Sequence, residues 1–168
     1  MLRNFGAVAA AAFMSAAALS TLLWSPRPLL VWNASPSSPI GLYLVTPAED
    51  MRAGEMVIAW PPPRARRIAV QRGYLPANVP LVKQVAAARG DRVCAAGEAL
   101  FVNGRFLALR RTQDAAGRKL PWWNGCRKLQ NGELFLLMRG ARDSYDGRYF
   151  GPIQPPQAVG RARLTWAG

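Results

Sequence analysis

From Phe5 to Trp24 the chain runs for 20 residues without a charged side chain. As a helix that run would span about 30 Å, the thickness of a bilayer core. Arg3 lies before it, which favours an N-terminus on the inner side. Trp24 sits where an interfacial aromatic belongs, and Pro26 and Pro28 end the helix. The segment therefore reads as a membrane anchor over 1–24, with one extracytoplasmic domain over 25–168. The alternatives are a cleaved signal peptide, for which Ser15-Ala16-Ala17-Ala18 offers cleavage sites, and a buried soluble helix. Anchor and signal both place residues 25–168 across the membrane.

About 140 residues then remain, enough for one domain with a real core. The net charge is +13, from 22 basic and 9 acidic residues, and 19 of the bases are arginine. Such a surface suits nucleic acid, anionic lipid or an acidic partner. The densest cluster, Arg64-Ala65-Arg66-Arg67, has no interleaved aromatics, so nucleic acid is a disfavoured partner. The chain has no histidine, which removes the Ser-His-Asp triad and histidine-based zinc sites. Cys94 and Cys126 are too few for a four-thiolate metal site, but outside the cytosol they could form one disulfide. No metal and no cofactor is implied.

Short apolar runs separated by Gly, Pro and Asn turns predict a mostly β domain, barrel-like or sandwich-like. Strands are expected at Leu42–Val45, Met56–Trp60, within Val79–Ala88, at Leu134–Met138 and at Gly160–Trp166. Leu100–Val102 and Arg105–Leu109 flank Asn103-Gly104, the signature of a hairpin with a type I′ turn. Arg64 to Arg72 reads as a short helix or loop, and Arg110 to Gly125 as a long polar excursion.

Asn33-Ala34-Ser35-Pro36-Ser37-Ser38-Pro39-Ile40-Gly41 sets three serines on a backbone stiffened by proline. Alone it reads as a linker. Serine nucleophiles need a base, and without histidine the remaining candidate is lysine. An exposed lysine is protonated at neutral pH and cannot serve, whereas burial in apolar surroundings lowers its pKa. Of Lys83, Lys119 and Lys128, only Lys83 lies within an apolar run, among Val79, Leu81, Val82 and Val85, whereas Lys119 follows Arg118 and Lys128 follows Arg127. The third block is Asp143-Ser144-Tyr145-Asp146-Gly147-Arg148, in which an extended backbone would set Ser144, Asp146 and Arg148 on one face.

In this order the three blocks resemble the bacterial type I signal peptidase family, and most closely its conjugative-transfer branch, the TraF-type peptidases. Asn33-x-Ser35-Pro36-Ser37-x-Pro39-x-Gly41-Leu42-Tyr43 is similar to the branch's nucleophile motif. Pro80-Leu81-Val82-Lys83-x-Val85-Ala86-x-x-x-Gly90-Asp91 is similar to its general-base motif. Ser144-x-Asp146-x-Arg148-Tyr149-Phe150-Gly151-Pro152 is similar to the third. Cys94 and Gly125-Cys126 also look like branch features. The resemblance implies a signal-peptidase-like β domain after one N-terminal transmembrane helix, held at the bacterial inner membrane with its catalytic part in the periplasm. It implies Ser37 as nucleophile and Lys83 as general base. Ser35 would assist the Ser37 amide at the oxyanion, Ser144 would orient the Lys83 amine, and Asp146 and Arg148 would hold that wall. Ser38 stands where methionine is frequent and is the less favoured nucleophile. The implied partner is a membrane-tethered precursor such as a pilin, which is cleaved; in this branch the resemblance also admits its cyclisation, and the sequence does not choose between the two fates. The readings left open are an inactive assembly factor of a secretion or conjugation apparatus and a basic DNA-binding module.

Overall fold

A computed structural model describes residues 13–15, which are helical, and residues 29–168. Apart from residues 13–15, the anchor expected over Phe5–Trp24 lies outside the described residues. Among those described, no helix is long and apolar enough to cross a membrane.

The chain forms strands β1 (Leu30–Asn33), β2 (Gly41–Thr46), β3 (Met56–Ala59), β4 (Leu81–Ala87), β5 (Arg92–Ala96), β6 (Ala99–Val102), β7 (Arg105–Leu109), β8 (Gly125–Lys128), β9 (Phe135–Leu136) and β10 (Ala158–Ala167). A helix, Pro63–Gln71, joins β3 to β4, and a single turn, Gly147–Phe150, precedes β10. Every pairing is antiparallel. One sheet runs β1-β2-β10-β3-β4-β9 and the other β7-β6-β5-β8, so the chain is mostly β as its turn pattern predicts.

Strand position in the first sheet decides how much polarity a strand tolerates. β1 and β2 alternate, burying Val31 and Asn33, then Tyr43 and Val45, and leaving Leu30 and Trp32 outside. That is the pattern of a sheet with one wet face. β3 and β4 are covered on both faces. Val57, Ile58 and Ala59 are fully buried, and Leu81, Val82, Lys83 and Val85 are all buried in β4. Ile58 and Val82 pack with Tyr43 and Val45, while Val57 and Val85 pack with Leu134, Leu136 and Ile153 on the opposite side. Lys83 thus lies in an enclosed strand of the sheet, paired across the ladder with Val57.

The second sheet packs Val93, Ala95, Leu100 and Leu107 against Leu129, Phe135 and Leu137. The Asn103-Gly104 turn closes its β6–β7 hairpin with φ values of 51° and 78°, as a type I′ turn requires. Cys94 and Cys126 face each other across β5 and β8 and form the disulfide.

Five elements depart from the pattern read in the sequence. Leu134–Met138 contributes only Phe135–Leu136 to the ladder. The strand peels away because the Gln84 N–H donates to Met138 Sδ while the Met138 N–H turns to Asp146. Ser144 to Arg148 is not one extended segment. Asp146 is extended, but Gly147–Phe150 is helical, with the Asp146 carboxylate accepting the Arg148 N–H as a cap. β1, β5 and β8 were not expected. β8 is exposed along its whole length and is held by its pairing with β5 rather than by an apolar face of its own.

The disulfide spans 32 residues. Crosslinks of that reach stabilise small domains by about 3 kcal/mol. Cys94→Ser, or reduction of the wild type, is expected to lower the unfolding midpoint by roughly 10 °C. Thermal scans with and without reductant check this, and the Ser variant should no longer respond to reductant.

Candidate functional site

Antiparallel pairing of β1 with β2 sets Asn33 opposite Gly41, so the intervening residues 34–40 form a loop at one end of the sheet. Gly41 is required there by close approach: a Cβ at this position would lie 2.1 Å from the Trp166 carbonyl oxygen of β10. The Tyr43 hydroxyl donates to the Pro39 carbonyl, and the Ser38 N–H donates to the Ser35 carbonyl. The loop is therefore a built structure rather than a linker.

Two serines of this loop face β4, in different ways. Ser38 is buried and its hydroxyl donates to the Val82 carbonyl at 2.7 Å, pinning the loop to the strand. Ser37 is partly exposed, and Lys83 Nζ donates to its Oγ at 2.7 Å. The exposed Ser35 completes the cluster. Its Oγ lies 3.0 Å from Ser37 Oγ and accepts the Ser37 N–H at 3.4 Å. Three hydroxyl-bearing residues in four positions thus have three surroundings, and only Ser37 meets the lysine.

Lys83 is 3% exposed. Burial pushes its pKa from 10.5 down to about 8; Asp146 opposes that fall, and Arg148 adds to it. The difference corresponds to roughly 3 kcal/mol disfavouring the ammonium form. The folded value lies below the unfolded one. Between about pH 8 and 10.5 the unfolded chain binds more protons than the folded one, and the fold gains stability as pH rises through that window.

Behind the lysine stands a buried ion pair. Arg148 Nη1 donates to Asp146 Oδ2 at 2.6 Å, with side chains 1% and 0% exposed. The carboxylate also accepts the N–H groups of Met138 and Arg148, and Arg148 Nη2 donates to the Met138 carbonyl. Burial pushes the Asp146 carboxyl above its ordinary range, opposed by Arg148 and Lys83. Ser144 is buried beside this pair, but among the described residues its hydroxyl has no hydrogen-bond partner, and the expected contact with the Lys83 amine is not formed. The turn that leads into the short helix sets this position, instead of the extended backbone read from the sequence.

Arg110, unnoticed in a polar stretch, is 2% exposed. It donates to the carbonyls of Gly97 and Trp123 and to the Asn124 side chain, and stacks over Trp122. Trp123 Nε1 in turn donates to the Gly147 carbonyl. The long excursion after β7 thereby braces the short helix that carries Arg148. Nothing in sequence distinguishes Arg110 from the other arginines around it. Asn33 was legible only as part of a motif, without a role.

Replacing one member of a buried ion pair strands the other, at a cost of about 3–5 kcal/mol. Asp146→Ala is expected to destabilise the fold by that amount, measured by denaturant unfolding. A loss below about 1 kcal/mol would mean that the pair does not organise the wall.

The model of the family described as signal peptidase, peptidase S26, matches residues 2–167. A plasmid transfer protein TraF of Escherichia coli is 34% identical over 145 residues, covering 80% of this chain and 82% of that protein. A probable conjugal transfer protein TraF of Sinorhizobium fredii is 35% identical over 150 residues, covering 80% of this chain and 77% of its own. Among solved structures, a signal peptidase I of Enterococcus faecalis aligns with a TM-score of 0.38 at 16% identity, covering 69% of this chain and 98% of the other. The extent of the family match and the identity to the TraF proteins establish that this chain belongs to the signal peptidase family, peptidase S26.

Proposed function

We propose that the chain is a serine endopeptidase that cleaves precursor proteins with Ser37 as nucleophile and Lys83 as general base. The observation that carries this reading is the 2.7 Å hydrogen bond between Lys83 Nζ and Ser37 Oγ, made by a buried lysine whose pKa is lowered to about 8. Membership of the signal peptidase family supports it. Neutral Lys83 takes the Ser37 proton as Oγ attacks the carbonyl of the scissile bond. The tetrahedral oxyanion forms beside the Ser37 N–H and the Ser35 hydroxyl. Donors of this kind lower such barriers by about 2.7–4 kcal/mol. The lysine then returns the proton to the leaving amine, and an ester links the substrate's acyl group to Ser37. A second nucleophile, deprotonated by Lys83, releases that group.

Water as the second nucleophile gives a peptide acid. The substrate's own N-terminal amine would give a cyclic product, and the identity to conjugal transfer proteins favours a pilin-like precursor. The working surface is the periplasmic face of the inner membrane. The disulfide suits an oxidising compartment. Trp32, Ile40, Leu164 and Trp166 are exposed beside the base of the Ser37 loop, an apolar rim suited to a lipid surface beside a membrane-tethered substrate.

Co-expression with a pilin precursor tests the reading. Wild type is expected to process it, Ser37→Ala and Lys83→Ala to abolish processing, and Ser38→Ala to keep a reduced rate. Equal processing by wild type, Ser37→Ala and Lys83→Ala would sink the dyad and leave an assembly role. The pH dependence is a second test. Because the neutral amine is the active form, kcat/KM is expected to rise with pH through about 8 and level above it. Asp146→Asn removes the charge that favours the ammonium form, so its midpoint is expected to move to lower pH.

A further inference from the structure

We propose that Asn33 is the positioning residue of the Ser37 loop, its buried carboxamide acting as the template on which residues 35–39 are folded. This inference rests on the reading of Ser37 and Lys83 as nucleophile and base. It adds a residue that touches neither the amine nor the hydroxyl.

Asn33 is the last residue of β1, on the inward side of the strand, and is 8% exposed. Its Nδ2 donates to the carbonyls of Ser35 at 3.0 Å, Ser38 at 3.2 Å and Pro39 at 3.0 Å. Its Oδ1 accepts the Ser35 N–H at 3.2 Å. The partners fix the orientation of the carboxamide. Three acceptors surround one end and a donor faces the other, so a reversed amide would oppose like groups on both sides. One side chain thus binds the backbone on both sides of Ser37.

The consequence lies at residues 35 and 37. The Ser35 N–H and carbonyl are both held by Asn33, which sets where the Ser35 hydroxyl points, toward Ser37 Oγ and the Ser37 N–H. The Ser38 and Pro39 carbonyls are held on the far side, while the Ser38 hydroxyl is tied to Val82, the neighbour of Lys83. Asn33 therefore shapes the loop and Ser38 registers it against β4. Proline at 36 and 39 stiffens the backbone but supplies no donor. The Ser35 carbonyl also accepts the Ser38 N–H and the Pro39 carbonyl the Tyr43 hydroxyl, whereas the inward Ser38 carbonyl takes its hydrogen bond from Asn33. Leucine at position 33 would keep the volume and provide no donor. Aspartate would keep the acceptor for the Ser35 N–H but set an oxygen against three carbonyls.

The test is processing kinetics of the full-length chain on a pilin precursor, with wild type, Asn33→Leu, Asn33→Asp and Ser37→Ala. The folded fraction of each is measured by near-ultraviolet circular dichroism. A misplaced reacting group costs about 100-fold in rate. Both Asn33 variants are expected to lose roughly that much kcat per folded molecule, with KM within about threefold of wild type. A role confined to stability would lower the folded fraction and leave kcat per folded molecule at the wild-type value, and that outcome overturns the proposal. Wild-type processing by Ser37→Ala would overturn the nucleophile assignment instead. A dead Ser37→Ala beside fully active Asn33 variants would overturn this inference alone.

Discussion

The site depends on the burial of one amine. Lys83 sits in β4, a strand covered on both faces, and its pKa falls because water is excluded from around it. An exposed lysine in the same strand would stay protonated, and its contact with Ser37 would be an ordinary surface hydrogen bond. The cost of the ammonium in that position is borne by the packing of β3, β4 and their neighbours. Val57 stands opposite the lysine, and Leu134, Leu136 and Ile153 close the same side of the sheet. Apolar core and proposed base are thus one device.

Fields from the buried ion pair tune that device. Asp146 favours the ammonium and Arg148 opposes it, and desolvation is the largest of the three. The pair also does mechanical work. The Asp146 carboxylate caps the short helix and holds Met138, which follows β9 and accepts the Gln84 N–H of β4 through its sulfur. Arg110 and Trp123 brace the same helix from the excursion that joins β7 to β8 of the second sheet. The wall behind the amine is consequently fastened to both sheets.

The serine loop is fastened by separate means. Asn33 supplies donors on one side, the Ser38 hydroxyl reaches the Val82 carbonyl on the other, and Gly41 lets β2 approach β10. β10 and β3 separate β1 and β2 from β4 in the sheet order, yet the loop between β1 and β2 meets β4 through Ser37 and Ser38. Of the apolar side chains exposed beside the base of the loop, Trp32 and Trp166 pack against each other with ring centroids 5.7 Å apart.

Composition and local pattern determined the mostly β class, the Asn103-Gly104 hairpin, the singular setting of Lys83 and the three blocks that carry the family resemblance. These are legible because turn residues, alternation and apolar neighbours act over a few positions. Tertiary structure alone decided the separate surroundings of Ser35, Ser37 and Ser38, since each depends on a partner brought in by folding. It decided that Ser144 is buried without a hydrogen bond to the Lys83 amine and that Asp146 caps a helix, where local reading gave an extended segment. It likewise decided β8, which has no apolar pattern and exists through its ladder with β5. Hydrogen bonds between residues far apart in sequence leave no periodic trace. The contact of Lys83 with Ser37 spans 46 positions, and only the packed sheet brings amine and hydroxyl within bonding distance.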